Sequence, residues 1–157
     1  VWGCLGFGDC AQICEFDAIS MDLHRLPQVN PDSCTACGDC VEICPRDLFS
    51  VHPVSHHLWI ACNNPEAGEA AEADCKVLCT GCGRCAADAP EGLIGLENSL
   101  AVIDYSRNAL ASRIAIERCP TGAIVWLDND NSIHKGKEAV RILRKQPLPV
   151  GTRHTRL

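Results

Sequence analysis

Thirteen of the 157 residues are cysteine, about one in twelve, and most of them stand two or three residues apart. Thiolates this close along the chain converge on one metal centre, whereas neighbouring disulfides need their partners further apart. The most specific run is Cys34-x2-Cys37-x2-Cys40-x3-Cys44-Pro45. It matches the compact pattern C-x2-C-x2-C-x3-C-P, in which three cysteines hold one [4Fe–4S] cluster and the fourth crosses to another. A tight loop of this kind wraps three thiolates around a cubane, and its amides face the sulfurs and offset their charge. Thiolate is the soft ligand that iron–sulfur centres select. Pro45 fixes φ and removes a donor where the spacing predicts that a helix begins.

The crossing rule then assigns the remaining thiols. Cys34, Cys37 and Cys40 take Cys14 as fourth ligand, and Cys44 crosses back to a centre with Cys4 and Cys10. That first segment is widened, with five residues between Cys4 and Cys10. Its fourth ligand is expected upstream of the first residue or at Cys62. Further along, Cys79-x2-Cys82-x2-Cys85 is complete, but Ala89 stands where a crossing cysteine belongs. The partner triplet, around Asn108, Ala111 and Ile114, carries no cysteine, and only Cys119-Pro120 remains there. Cys79, Cys82, Cys85 and Cys119 therefore make a third set, and about three [4Fe–4S] clusters are expected. Cys62 and Cys75 are left over. Each reads as a small buried thiol, with Cys75, just ahead of Cys79, alternatively a near-cluster or exchange ligand.

The elements that must hold these loops repeat. Cys14-Glu-Phe-Asp-Ala-Ile, Cys44-Pro-Arg-Asp-Leu-Phe, Ala89-Pro-Glu-Gly-Leu-Ile and Cys119-Pro-Thr-Gly-Ala-Ile are alike, 30 residues apart within each half and 75 between halves. Fixed periods of this kind mark repeated supersecondary units. The expected fold is α+β: tandem bacterial-type two-cluster ferredoxin-like modules, the second degenerate. Residues 1–51 form the two-cluster module, 52–74 a connecting insertion, 75–130 the one-cluster module and 131–157 a basic docking tail. A short helix is expected after each crossing position, then an extended pair such as Ala18–Met21 with Gln28–Asn30. Leu100–Tyr105 and Ala123–Leu127 are the strands expected to match them in the second half, with a turn at Asp128–Asp130. Ser112–Arg118 and Lys137–Lys145 have apolar faces that predict helices, the former filling the space of the lost cluster.

Composition narrows the function class. No stretch has the form of a secretory signal, and none approaches the ~20 apolar residues of a membrane span. With an odd cysteine count, a closed disulfide framework is disfavoured. Only seven residues are aromatic, so each half is short of core and needs a metal staple. From His134 onward there are seven basic side chains and one acid, and the remainder of the chain carries about −12. An acidic body argues against nucleic acid as a partner and suits basic redox partners met by electrostatic steering. His56-His57 is expected to be solvated rather than ligating. Gly6-Phe7-Gly8 lacks the strand and helix of a nucleotide loop and reads as room for backbone beside the first centre. Trp2, Trp59 and Trp126 are expected mainly as core filling.

The segments Gly3-Cys-Leu-Gly-Phe-Gly-Asp-Cys10 and Cys14-Glu-Phe-Asp-Ala-Ile19 resemble the B subunit of Rnf-type electron-transport complexes. So do Cys44-Pro-Arg-Asp-Leu48, Cys75-Lys-Val-x-Cys79-x-Gly-Cys82 and Leu100-Ala-Val-Ile-Asp-Tyr105. The resemblance covers roughly residues 3 to 127 and includes Cys62 and Cys75. It implies cluster ligands at Cys4, Cys10, Cys14, Cys34, Cys37, Cys40, Cys44, Cys79, Cys82, Cys85 and Cys119. A further cysteine commonly precedes the family's match to Trp2-Gly3-Cys4. The family usually carries a membrane-anchoring N-terminus and a fourth cluster, neither of which these residues show, so a diverged relative is expected. The implied role is an electron-transfer subunit of a larger oxidoreductase complex, with redox subunits as partners. It is expected in the cytoplasm or on the cytoplasmic face of a membrane complex, touching the membrane through that complex. The competing classes are an enzyme with an open iron at the first centre and a structural zinc module, which would want closed Cys4 or Cys/His sets.

Overall fold

The computed structural model describes residues 2–66 and 68–139. Its described residues divide into two compact units, one of residues 3–51 and one containing Trp2 and residues 52–139.

In the first unit two short helices, α1 (Asp9–Ile13) and α2 (Asp39–Ile43), are built alike. Each is entered through a left-handed glycine, Gly8 at φ 83° and Gly38 at φ 94°, and each ends at a cysteine, Cys14 or Cys44, in extended conformation. The helices thus precede the crossing cysteines, where the spacing had placed them after. At Cys44 the reason is Pro45, whose ring disfavours helical backbone at the residue before it, so the proline closes a helix and does not open one. Strands β1 (Ile19–Met21) and β2 (Pro27–Val29) pair antiparallel with Ile19 opposite Val29, as expected. Their turn is tied by Asp22, whose carboxylate accepts from the amides of His24 and Leu26 at 2.8 Å each. Arg25 donates through Nε to the Gly6 carbonyl at 2.9 Å. Gly6 sits at φ 70°, and a Cβ there would lie 3.0 Å from that of Arg25, so glycine is required for both backbone and space. Only Gly6, Ala18 and Ile19 of this unit are buried.

The second unit has a hydrophobic core. The three-stranded antiparallel sheet has the order β3 (Leu58–Ile60), β6 (Ile124–Leu127), β7 (Ile133–Lys135). The hairpin of β4 (Ile94–Glu97) and β5 (Leu100–Ile103) turns through Asn98 and Ser99, both at positive φ, as a tight primed turn requires. Helices α3 (Glu69–Asp74) and α4 (Arg84–Asp88) and the 3-10 segments Tyr105–Leu110 and Arg113–Ile116 complete it. Leu58, Leu78, Leu93 and Ile124 are fully buried.

Several expectations are corrected here. The 100–105 and 123–127 stretches are strands but have separate partners, β5 with β4 and β6 with β3 and β7. The local hairpin satisfies β5 first, and Leu58-Trp-Ile60 supplies the edge that β6 pairs with. Residues 52–74 therefore contribute β3, and β7 comes from within 131–157. Ser112–Arg118 contains a 3-10 turn rather than an α-helix. Residues 137–138 form a turn, and the rest of the helix expected over Lys137–Lys145, with the tail beyond, lies outside the described residues. No helix of the described residues is long and apolar enough to cross a membrane.

Candidate metal centre

The cysteines fall into three groups. In the first unit, Cys4, Cys10 and Cys44 line an open space of about 760 Å³ walled by Phe7, Ile43, Leu48 and Phe49. Backbone amides already point at two of these sulfurs: Gly6 donates to Cys4 Sγ at 3.3 Å and Leu48 to Cys44 Sγ at 3.4 Å. Burial pushes the Cys10 thiol up, opposed by the Ala11 amide and reinforced by the neighbouring Cys4 and Cys44.

The second group forms around Cys40. Burial raises its thiol, its own amide opposes this, and the charges of Cys34, Cys37 and Cys14 raise it further. Cys14, 20 residues ahead of Cys34 in the chain, is thus among the thiols that act on Cys40. Cys34 and Cys37 are exposed, while Cys14 and Cys40 are half-buried.

The third group lies in the second unit. Cys79, Cys82, Cys85 and Cys119 line a narrow apolar pocket together with Ile60, Leu96 and Ala123. Burial, and then Cys79, Cys119 and Cys82, push the Cys85 thiol up to about 11, against the Ala86 amide. Cys119 goes the other way. Burial would raise it, but the amides of Ile124, Thr121 and Ala123 and the Thr121 hydroxyl hold it below the ordinary thiol range. Hydrogen bonds to the charged form outweigh desolvation there, and thiolate is the form that ligates metal.

Among the described residues, no group of three or more His, Cys, Asp or Glu closes tightly enough to hold a metal ion. The cysteines of the first and third groups line spaces instead of converging on a point. An all-thiolate donor set facing a cavity, with amides aimed at sulfur, fits an iron–sulfur cluster. When bound, such a group takes up and releases one electron. The residues around it fix the thiolates, set hydrogen bonds to sulfur and limit water.

Other candidates are placed elsewhere. Cys62, an alternative fourth ligand for the first group, packs against the core of the second unit, and its sulfur accepts the Cys79 amide at 3.3 Å. Cys75 is half-buried and extended at the end of α3. Ala89 and Ala111 pack against the same core, the Asn108 amide donates to the Ser55 carbonyl at 3.0 Å, and Ile114 is exposed. His56 and His57 do not act together. His56 stacks on Tyr105 with its Nδ1 3.2 Å from that of His52, and His57 Nδ1 lies 2.7 Å from the Leu127 carbonyl. Trp59 donates to the His56 carbonyl and Trp126 to Asp128. Trp2 is exposed.

Two polar features escaped the spacing argument. Asp128 gathers Arg113, Trp126 and His134, and Arg113 first, then the other partners, holds its carboxyl below the usual range. Asp88 and Arg118 form a two-pronged bridge at 2.6 and 2.8 Å. Both of its members sit one residue ahead of a crossing position in the 30-residue repeat, which is the signal that could have found them.

A family profile for the 4Fe-4S dicluster domain matches residues 2–48. The B subunit of the ion-translocating oxidoreductase complex of Methanosarcina acetivorans is 40% identical over 124 residues, covering 78% of this chain and 46% of that protein. The B subunit of the proton-translocating ferredoxin:NAD(+) oxidoreductase complex of Clostridium ljungdahlii is 43% identical over 124 residues, 78% of this chain and 44% of that one. Its counterpart in the Na(+)-translocating complex of Acetobacterium woodii is 32% identical over 123 residues, 78% of this chain and 37% of its own length. The chain therefore spans less than half the length of these relatives. Over most of its length this chain is similar to the B subunits of Rnf-type electron-transport complexes, and its residues 2–48 match the 4Fe-4S dicluster domain.

Proposed function

We propose that this chain is an electron-transfer subunit that passes single electrons through three [4Fe–4S] clusters inside a larger oxidoreductase complex. Cys4, Cys10 and Cys44 would hold the first, Cys14, Cys34, Cys37 and Cys40 the second, and Cys79, Cys82, Cys85 and Cys119 the third. The observation that carries this reading is the company kept by the distant cysteines. Cys44 lines one space with Cys4 and Cys10, and Cys119 lines another with Cys79, Cys82 and Cys85, while Cys14 is among the thiols that raise Cys40. The modules are read as tandem, the second having lost one cluster. Redox subunits are its partners, on the cytoplasmic face, and contact with a membrane would come through them. The relatives' ion-translocating complexes supply the pattern for such an assembly.

In this role the protein supplies no proton chemistry. Its residues hold thiolates, cover them with Phe7, Ile43 or Leu96, and donate amides to sulfur at Cys4, Cys44 and Cys119. A second reading attaches to the first group alone. Three thiolates beside a wide apolar-walled space would suit an open iron that takes a small ligand.

The test is iron and acid-labile sulfide per chain on anaerobically purified protein. About twelve of each are expected for three cubanes. About eight would remove one assignment, and zinc without sulfide would end the electron-carrier reading. Cyanide binding that alters only the first cluster's spectrum would favour the open-iron alternative.

A further inference from the structure

Asp88 closes α4, and Arg118 stands immediately before Cys119. In the 30-residue repeat both take the place just ahead of a crossing position, where the first unit carries Ile13 and Ile43. The two side chains meet as a fork: Arg118 Nε donates to one carboxylate oxygen at 2.8 Å and Nη2 to the other at 2.6 Å. The carboxylate is only 20% exposed and the guanidinium 50%. Most surface ion pairs contribute little, but bidentate Arg–carboxylate geometry is the exception. Small residues of the second unit also pack inward. Ala86, Ala89 and Ala111 lie against a core that includes the buried Ala115 and Ile116. Ala89 and Ala115 are positions where the repeat would place thiols of a further cluster. Arg118 additionally lies within electrostatic reach of Cys82.

We propose that Asp88 and Arg118 are a positioning pair that cross-links α4 to the Cys119 segment in place of a second cluster, holding Cys85 and Cys119 at the third. The inference rests on the three-cluster reading given above. A crossing thiolate is held only if the backbone on both sides of it is anchored. Beyond Cys119 the amides of Thr121, Ala123 and Ile124 do this. On the near side Cys119 N–H donates to the Ile116 carbonyl at 3.2 Å, and the fork ties residue 118 to the helix that carries Cys85. In the first unit two crossing cysteines share this work through two clusters. In the second unit one crossing cysteine is gone, and the charged pair supplies the missing tie.

The experiment compares the anaerobically purified chain with Asp88→Asn, Arg118→Lys and the exchange Asp88→Arg/Arg118→Asp. Cys119→Ser identifies the signal and the iron that belong to the third cluster. Two quantities are read: iron release from that cluster to a ferrous chelator, and its midpoint in an EPR-monitored redox titration. Lysine keeps the charge but loses the fork, so both single variants should release third-cluster iron at least about threefold faster. Both should also displace its reduction equilibrium, while the other clusters are unchanged. The exchange should restore both quantities, a rescue that a generic loss of stability would not show. Wild-type behaviour in the single variants, or an exchange as impaired as they are, overturns the pair. If Cys119→Ser loses no iron, the three-cluster reading fails and the pair with it. If it loses one cluster's iron while the bridge variants behave as wild type, only the pair is overturned.

Discussion

The two units solve the same problem with different materials. Residues 3–51 bury only Gly6, Ala18 and Ile19, and leave Leu5, Phe7, Ile13, Phe16 and Ile43 about 40% exposed. Seven of the thirteen cysteines are in this stretch. Residues 52–139 bury Leu58, Leu78, Leu93 and Ile124 completely and surround them with Ile94, Ile103 and Ile116. Charge follows the same division. Residues 3–51 hold eight acids against Arg25 and Arg46, whereas in the second unit Arg84, Arg107, Arg113, Arg118 and Lys137 each pair with a carboxylate. A unit with almost no core must draw its folding free energy from metal binding, while one with a core can lose a centre and keep its shape.

The sharpest way to break this comparison is to strip the iron under anaerobic conditions. The first unit should then lose its structure, with protease cutting between residues 3 and 51 at least about tenfold faster. Strands β3 to β6 should stay protected. Equal loss in both units would erase the distinction.

The next largest effect is in the core. Leu58→Ala or Leu93→Ala, each at 0% exposure, should cost about 2–5 kcal/mol in the unfolding of the second unit followed by tryptophan fluorescence. The spectra of the first two clusters should be unaffected. Loss of all clusters in these variants would mean that the units fold as one.

A smaller effect comes from protonation in the metal-free second unit. Cys85 is raised from an ordinary value of 9.0 to about 11, so the folded state favours its neutral thiol. That contribution is full below pH 9 and is lost as pH rises through about 11. Cys119 is lowered, so its contribution is present above the ordinary thiol value and declines as pH falls through its own lower one. Alkylation followed by peptide mass spectrometry should find Cys119 reacting at lower pH than Cys85. The reverse order would remove the hydrogen bonds at Cys119 as an explanation. The smallest effect should follow Asp128→Asn, which loosens Arg113 and His134 at the β6–β7 hairpin. A thermal midpoint that falls as far as it does in Leu58→Ala would show this exposed network to be more than a surface fastening.

What could be read from the chain alone was short-range. Cys34 to Pro45 describes its own loop, because two-residue spacings leave the backbone few ways to aim three thiols, and the 30-residue repeat pointed to Cys14, Cys44 and Cys119 as the distant members. The β1–β2 hairpin was legible for the same reason, its partners being only a turn apart. Tertiary structure decided the rest. The 52–74 stretch reads as a connector until Leu58-Trp-Ile60 is seen against β6, a pairing across more than 60 residues that no local pattern specifies. Cys62 is ambiguous in sequence, and only the fold sets its sulfur against the Cys79 amide. Asp88 and Arg118 look like ordinary surface charges until the fold sets them face to face. Spacing along a chain determines which groups can share a centre, because loop geometry is local. Which strands pair, which thiols are buried and which charges meet depends on packing between distant segments, and that is settled only when the core forms.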